Sequence, residues 1–506
     1  MSGTGGTKAR VGLVVVPALA LALFALADLD PQRPEITRAA AVAVLMAGWW
    51  ITEAIPIPVT ALLPVALFPP LGILSGKETA ALYFNHVIFL FIGGFVFALA
   101  MQRWDLHRRI ALRILLALGT SPRRLILGFM AATWFLSMWI SNTAATMMMV
   151  PMAMAIVAQF EERIGGERAG RFTPALLLGV AYSASIGGLA TLIGTPPNLS
   201  LVRIFAIVFP RGPEISFATW FLFALPLSVL FLFLAWGLLC RLFLAGTHDL
   251  PGQGDVIRRE HERMGSMSFE QRAVMVLFVV LVGAWMFRAD IDLFGATLPG
   301  WSRLFPESGF IDDGTVAIAV ALPLFLLRSR ERPGERLMDW ETAAGLNWGI
   351  VLLFGGGFAL ASGFQASGLS QWLGESLSAM QGTPPLLLVL AVCGLLTFLT
   401  ELTSNTATAE MALPVLGPLA VAIQADPLLL MVPATLSASC AFMLPVATPP
   451  NAIVFGTGEV RMADMIRAGL LLNLVGMVLI TAAVYVLGTA VLGIDLAGAP
   501  VWARNP

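Results

Sequence analysis

Residues 386–403 read LLLVLAVCGLLTFLTELT, and residues 123–140 read RRLILGFMAATWFLSMWI. Runs of 16 to 25 residues of this kind recur along the whole chain. A helix needs about 20 apolar residues to cross the hydrocarbon of a bilayer. Inside that hydrocarbon only helices and closed barrels satisfy their own backbone groups. A barrel would show strands of about 10 residues with alternating polarity, and these runs do not alternate. Only 12% of the 506 residues are charged, against about 25% in a soluble domain. The chain therefore reads as an all-α polytopic membrane protein.

Candidate spans lie at about 11–27, 38–54, 57–74, 84–102, 174–210, 216–242, 272–288, 314–328, 348–364, 428–456 and 464–493. This predicts about 11 transmembrane helices. Two further apolar stretches, 123–160 and 384–424, are longer than one span. Each is broken near its centre, by SNTAATMMMVPM from Ser141 and by SNTATAEMALPV from Ser404. They read as two re-entrant hairpins. The first span follows Lys8 and Arg10 and ends in Ala25-Leu26-Ala27, a pattern a signal peptidase accepts. Because the rest of the chain is itself membrane, this segment is read as a retained helix.

The chain repeats itself. Glu78-Thr79-Ala80-Ala81 matches Glu341-Thr342-Ala343-Ala344, Gly93-Gly94-Phe95 matches Gly356-Gly357-Phe358, and Ser141-Asn142-Thr143 matches Ser404-Asn405-Thr406, all with an offset of 263. Thr195-Pro196-Pro197-Asn198 matches Thr448-Pro449-Pro450-Asn451 with an offset of 253. The span at 38–54 and its partner at 272–288 are an odd number of crossings apart, so the repeats are predicted to be inverted. Charge placement points the same way. The stretch 103–124 carries six arginines and its repeat partner 365–383 carries none. The expected orientation is a multi-pass protein of the inner membrane, N-terminus cytoplasmic and C-terminus outside.

Four breaks then fall at membrane depth: two Ser-Asn-Thr tips and two Thr-Pro-Pro-Asn turns. Such backbone is tolerated only when buried in protein or lining a wet cavity. Each break carries helix-start chemistry. Ser141, Ser404, Thr195 and Thr448 are N-cap types, and proline follows each threonine at the first helical position. Broken helices are thus predicted near the membrane midplane. Helix N-termini attract anions, and the carbonyls that end the preceding half-helices suit a small hard cation such as Na+. Paired broken segments in two inverted halves are a transporter's usual binding site. No lysine or arginine lies between Leu125 and Phe160 or between Pro384 and Gln424. An anion here would be held by dipoles, hydroxyls and bound cations, which couples the two ligands.

Other chemistries find little support. A net charge of −1 offers no field for nucleic acid. Cys240, Cys393 and Cys440 have no metal spacing and read as packed thiols. There is no zinc motif, no pair of intramembrane aspartates and no activated serine, which argues against an enzyme. Gly252-Gln253-Gly254-Asp255 lies in the polar loop 243–271, without a partner aspartate in a span. A channel would want a continuous polar lining, whereas polarity here clusters at one depth. Acidic residues in apolar segments are Glu53, Glu401 and Glu410. Glu401, three residues before the second tip, suits either a proton site or a hydrogen-bonded structural group. The segment RWDLHRRIALRILLALG reads as a basic amphipathic helix on the inner surface.

SMWISNT, ASIGGLATLIGTPPN, LLFGGGFALA, TSNTAT and ATLSASCAFMLPVATPPNAIVF resemble the divalent anion/sodium symporter family, and the last resembles its citrate and dicarboxylate branch. The resemblance covers nearly the whole chain. It implies a homodimer and a transport domain of two hairpins and two broken helices that moves like an elevator against a scaffold. It also implies residue roles. One sodium site would use Ser137, Asn142 and a carbonyl near Gly194, the other Thr400, Asn405 and a carbonyl near Ala447. A small dicarboxylate would meet Ser141, Asn142, Thr143 and Thr195 from one half, and Ser404, Asn405, Thr406 and Thr448 from the other. The first tip continues Ala-Ala-Thr where Ala-Thr-Ala is more usual, which affects the following helix rather than the ligands. Some relatives exchange anions without sodium, which leaves the coupling mode open.

The domains expected on this reading are first-half scaffold at 1–122, first-half transport domain at 123–210, second-half scaffold at 211–383, second-half transport domain at 384–456 and a C-terminal helix and tail at 457–506. The expected activity is sodium-coupled uptake of C4-dicarboxylates (succinate, malate or fumarate), with citrate next and sulfate third.

Overall fold

The computed structural model describes residues 4–119, 121–164, 166–244, 254–293, 296–376 and 382–504. They are almost entirely helical. The first half runs α1 (Thr4–Leu26), α2 (Pro34–Thr52), the short turns α3 (Ile57–Thr60) and α4 (Leu63–Leu67), α5 (Gly76–Leu82), α6 (His86–Arg103), α7 (Leu106–Leu118), α8 (Pro122–Ser137), α9 (Asn142–Ile164), α10 (Gly166–Gly188), α11 (Pro196–Val208) and α12 (Phe217–Phe243). After α13 (Gly254–Arg263) the second half runs α14 (Phe269–Met286), α15 (Asp313–Leu326), α16 (Trp340–Ala344), α17 (Trp348–Ser367), α18 (Leu369–Ser376), α19 (Pro385–Thr400), α20 (Asn405–Ala422), α21 (Pro427–Ala438), α22 (Pro449–Gly456) and α23 (Met462–Ala483). The only sheet among the described residues is a small hairpin, Ile291–Leu293 with Ala296–Leu298.

Among the described residues, six helical stretches are long and apolar enough to cross a membrane, the longest being Met462–Val491. Shorter apolar helices include Pro196–Val208, Pro385–Thr400 and Pro427–Ala438, which are arms of the broken elements. The span expected at 57–74 is instead α3 and α4 with turns on either side. Prolines at 56, 58, 64, 69 and 70 explain this, because each lacks an N–H and clashes with the preceding turn. The predicted amphipathic helix is present as α7. It buries Leu106, Ala111, Leu112 and Leu115 and exposes Arg113. Arg109 departs from the amphipathic pattern. It is buried and donates to Gln271 and to the carbonyls of Met264, Gly265 and Ser266, tying α7 to the start of α14. The three cysteines are free and buried, as packed thiols should be.

The repeat is visible in the packing. α8 packs on α10 as α19 packs on α21. Across the halves, α11 lies on α20 and, equivalently, α22 lies on α9. Each broken helix is therefore braced by a hairpin arm of the other half. The Gly-Gly-Phe repeats sit where backbones approach. A Cβ on Gly93 would come within 2.5 Å of Ala317 in α15, and one on Gly356 within 2.6 Å of the Ala61 carbonyl. At the C-terminal end of α6, Arg103 pairs with Asp339 and Glu335. The Thr342 amide and the Arg103 guanidinium together hold the Asp339 carboxyl down to about 2.

At the far end of α11 a short C-terminal turn, Val501–Arg504, sets the Trp502 ring edge-on to Phe205 and Phe209. The chain before that turn is held to the start of α21, where Asp426 accepts the Asp495 amide.

Overpacking a close approach of this kind destabilises by roughly 1–3 kcal/mol. Gly356→Val should therefore lower the thermal unfolding midpoint in detergent. Gly237→Ala, where nothing lies within 4 Å of the added Cβ, should not lower it, since alanine is the better helix former.

Candidate functional site

The four breaks form where the sequence places them. α8 stops at Ser137 and α9 begins at Asn142, with Ser141 accepting the Ala144 amide at 3.2 Å. α10 stops at Gly188 and α11 begins at Pro196 after an extended Thr195. α19 gives way to α20 through Ser404, and α21 gives way to α22 through Thr448, whose hydroxyl accepts the Asn451 amide. Ser404 and Thr195 adopt cap backbone geometry but make no capping bond.

Unwound backbone needs partners. The Thr-Pro-Pro-Asn asparagines supply them. Asn198 donates to the carbonyls of Gly188, Leu189 and Thr191, at 2.8 Å for Thr191. Asn451 donates to those of Ala441 and Leu444 at 3.1 and 3.0 Å. These two buried amides hold the breaks open. In the second half Glu401 does more of this work. Its carboxylate accepts the amides of Phe442 at 2.7 Å, Met443 at 2.8 Å and Leu444 at 3.0 Å, and Asn473 Nδ2 at 2.8 Å. A carboxyl that accepts from four donors is acting as a hydrogen-bonded anchor. Of the two roles the sequence allows, the structure gives Glu401 the structural one. Met138 occupies the equivalent place in the first half at the offset of 263.

All four breaks face one cavity of about 490 Å³. Ser141, Asn142, Thr143, Gly194 and Thr195 line it from the first half, and Ser404, Asn405, Thr406, Ala447 and Thr448 from the second. The structure thus brings all eight predicted anion contacts together. Four helix N-termini open onto the same space, each with about half a positive charge; α9 and α20 add free N–H groups, whereas α11 and α22 begin with two prolines and offer none there. Lining residues that sequence reasoning did not assign include Phe95, Asn347 and Glu53. Glu53 had been visible only as an acid in an apolar segment; it ends α2 in the left-handed conformation, at φ 50°. It is the one ionisable side chain among the lining residues.

Ser137 and Thr400 lie just behind the lining, each against the asparagine of its own tip. Ser137 Oγ is 2.5 Å from Asn142 Oδ1 and 2.7 Å from the Ala184 carbonyl. Thr400 Oγ1 is 2.7 Å from Asn405 Oδ1 and 2.8 Å from the Ala438 carbonyl. A hydroxyl has one hydrogen, so each cluster holds three oxygens and one proton. A Cβ on Gly188 would sit 2.9 Å from Asn142 Oδ1 and 3.0 Å from the Gly194 carbonyl. Only glycine leaves that cradle of oxygens clear. Ser185, Ser437 and Ser439, next to those two backbone carbonyls, have buried hydroxyls without a protein partner. Oxygen-rich, proton-poor clusters suit a hard monovalent cation.

Residues 8–494 match the family model described as the sodium:sulfate symporter transmembrane region. The chain belongs to this family. It is a membrane protein on that match and on its apolar helices. Among curated relatives, the sodium-dependent dicarboxylate transporter SdcS of Staphylococcus saprophyticus is 44% identical over 494 residues, covering 96% of this chain and 92% of the relative. The protein of that name from Staphylococcus aureus strain NCTC 8325 is 42% identical over 464 residues, covering 90% and 86%. Two solved structures share the fold. They are MtrF of Neisseria gonorrhoeae, described as illuminating a class of antimetabolite efflux pumps (TM-score 0.55, 12% identity, 96% of this chain and 100% of that one), and the YdaH transporter of Alcanivorax borkumensis (TM-score 0.55, 16% identity, 96% and 99%).

If Glu401 anchors the second break, Glu401→Gln should leave at least one buried amide unpaired, a loss of about 1–3 kcal/mol for each. Thermal unfolding of the purified variant should show the loss at every pH tested. An unchanged midpoint would remove the anchor role.

Proposed function

We propose that this protein is a sodium-coupled importer of C4-dicarboxylates such as succinate, malate or fumarate, working in an inner membrane with its N-terminus cytoplasmic and its C-terminus outside. One observation carries the reading: the two Ser-Asn-Thr tips and the two Thr-Pro-Pro-Asn turns meet at a single cavity whose lining has no cationic side chain. A divalent anion is held there by four helix N-termini and by the hydroxyls and amides of Ser141, Asn142, Thr143, Thr195, Ser404, Asn405, Thr406 and Thr448. Two sodium ions, as co-substrate, take the oxygen clusters of Ser137, Asn142 and Gly194 and of Thr400, Asn405 and Ala447. Each cation offsets part of the anion's charge, so binding of one favours the other. Asn142 and Asn405 face both ligands and are the residues through which the coupling runs. The dicarboxylate named for the relatives supports this anion over sulfate.

Alternating access follows an elevator scheme. The unit built from 123–210 and 384–456 moves as one body, because α11 is braced on α20 and α22 on α9. The helices of 1–122 and 211–383 form the stationary scaffold of a homodimer, and 457–506 forms the C-terminal helix and tail.

Reconstituted liposomes test the whole reading. Labelled succinate uptake is measured with an inward sodium gradient, with potassium only, and with unlabelled succinate inside. Uptake under sodium alone is the expected result, whereas uptake that requires internal succinate makes the protein an exchanger. Competition by citrate or sulfate in excess of succinate names a different preferred anion. Asn142→Ala and Asn405→Ala each remove hydrogen bonds to a charged ligand, worth about 1.5–3 kcal/mol apiece, and a sodium ligand besides. Uptake should fall at least about tenfold and lose its sodium dependence. Wild-type uptake in either variant defeats the site assignment.

A further inference from the structure

Glu410 sits in the second turn of α20 with no exposed surface. It does not line the cavity. One carboxyl oxygen is 2.5 Å from Ser200 Oγ on α11, and the other has no protein partner. The carboxyl also presses on α17, where a Cβ added to Gly357 would lie 1.6 Å from Oε2.

Among the described residues no ion pair answers this acid. The helices α17, α19 and α21, which pack on α20, contain no Asp, Glu, Lys, Arg or His. The titratable groups on the surrounding helices are Arg203 on α11, Glu375 on α18, Glu35 and Arg38 on α2, and the Cys393 thiol on α19. Arg203 acts on His86, Arg38 donates to the Leu71 carbonyl, and Cys393 lies 3.8 Å from Thr481. None of them forms an ion pair with Glu410. A lone carboxylate in such surroundings is strongly disfavoured, whereas a neutral acid is not.

The hydrogen bonds fit the neutral acid. Ser200 Oγ also lies 3.3 Å from the Pro196 carbonyl, which only accepts. Ser200 can give its one hydrogen to Pro196 and accept from protonated Glu410. The remaining carbonyl oxygen of Glu410 then faces the glycines of α17. The repeat-equivalent positions on α9 and α22 lack this pair. At the repeat offsets, Met147 stands in place of Glu410, Gly94 in place of Gly357 and Ile453 in place of Ser200. Met147 is 61% exposed where Glu410 is fully buried, so a buried acid at this repeat position is particular to the second half.

We propose that Glu410 is a proton-binding residue, and that α20 seats against α17 only when it is protonated. The inference rests on the movement proposed above, in which α20 travels and α17 stays. In the seated state Glu410 is neutral. When the helices part and water enters, its proton passes to water and leaves a carboxylate, and reseating takes one proton back. Each cycle then depends on pH through a residue remote from the bound anion.

Sodium-driven succinate uptake is compared from mildly acidic to alkaline pH for wild type, Glu410→Gln and Glu410→Met, the last being the first-half residue. Wild-type uptake should fall about tenfold per pH unit once the acid titrates, while both variants, which cannot ionise, keep a flat profile. Sodium binding at one pH, read by thermal shift, should stay unchanged in the variants. A Glu410→Gln profile that follows the wild type overturns the proposal, as does a flat wild type. Infrared spectra of the purified protein near neutral pH supply a second arm. Wild type should carry the carbonyl band of a protonated acid that Glu410→Gln lacks, and its absence overturns the proposal whether or not uptake is seen. A wild type that takes up no succinate at any pH refutes the transport reading instead, and the band still decides the state of Glu410. If Glu410→Gln fails to fold, Glu410→Met carries both comparisons.

Discussion

Backbone amides and carbonyls at membrane depth must find partners inside the protein, and this requirement shapes the centre of the molecule. A helix break exposes several of them at once. Here each break has its own means of satisfying them: the Asn198 amide for the first half, and the Asn451 amide with the Glu401 carboxylate for the second. With those groups answered, the tips can turn their remaining N–H groups, hydroxyls and amides toward a common cavity. The site's polarity follows from the way the breaks are held. An arginine there is unnecessary, because the helix ends supply positive potential without the desolvation that a guanidinium would suffer.

The two halves are alike where the cavity needs symmetry and differ where the surroundings do. Ser137 with Asn142 and Thr400 with Asn405 form nearly the same oxygen cluster twice. Met138 and Glu401 occupy equivalent places but meet different demands. The first-half break closes with Thr191 donating to the Met138 carbonyl at 2.6 Å. The second has three consecutive amides turned inward and needs an acceptor with several lone pairs. Duplication supplies the frame, and single residues adapt each copy to its neighbours.

Much of this was legible in the sequence. The apolar runs required helices, the cap residues set where α9, α11, α20 and α22 begin, and the repeat offset paired them. The Ser-Asn-Thr and Thr-Pro-Pro-Asn segments, which all carry helix-start chemistry, line the one cavity. The remainder depends on contacts that sequence spacing does not encode. Nothing local shows that Asn198 and Asn451 turn away from the cavity toward carbonyls seven to ten residues back. Glu401 lay open between two roles because its donors, at 442–444 and 473, are distant in the chain. Glu53, Phe95 and Asn347 reach the cavity from helices whose apolar patterns mark them only as spans. The proline-rich segment at 57–74 is the clearest misreading, since hydropathy alone counted it as a crossing and weighed no backbone cost.

The bracing of α11 on α20 has a bearing on biosynthesis. These contacts join positions about 200 residues apart, and the two tips lie 263 apart. At about 5–20 residues per second, the first tip is made tens of seconds before its counterpart exists. During that interval a half-formed pair of broken helices, polar at its end, waits in the bilayer without the surface it will rest against. The nascent first half must therefore keep its opening shielded, by the insertion machinery or by folding back on its own helices, until the ribosome delivers the matching half.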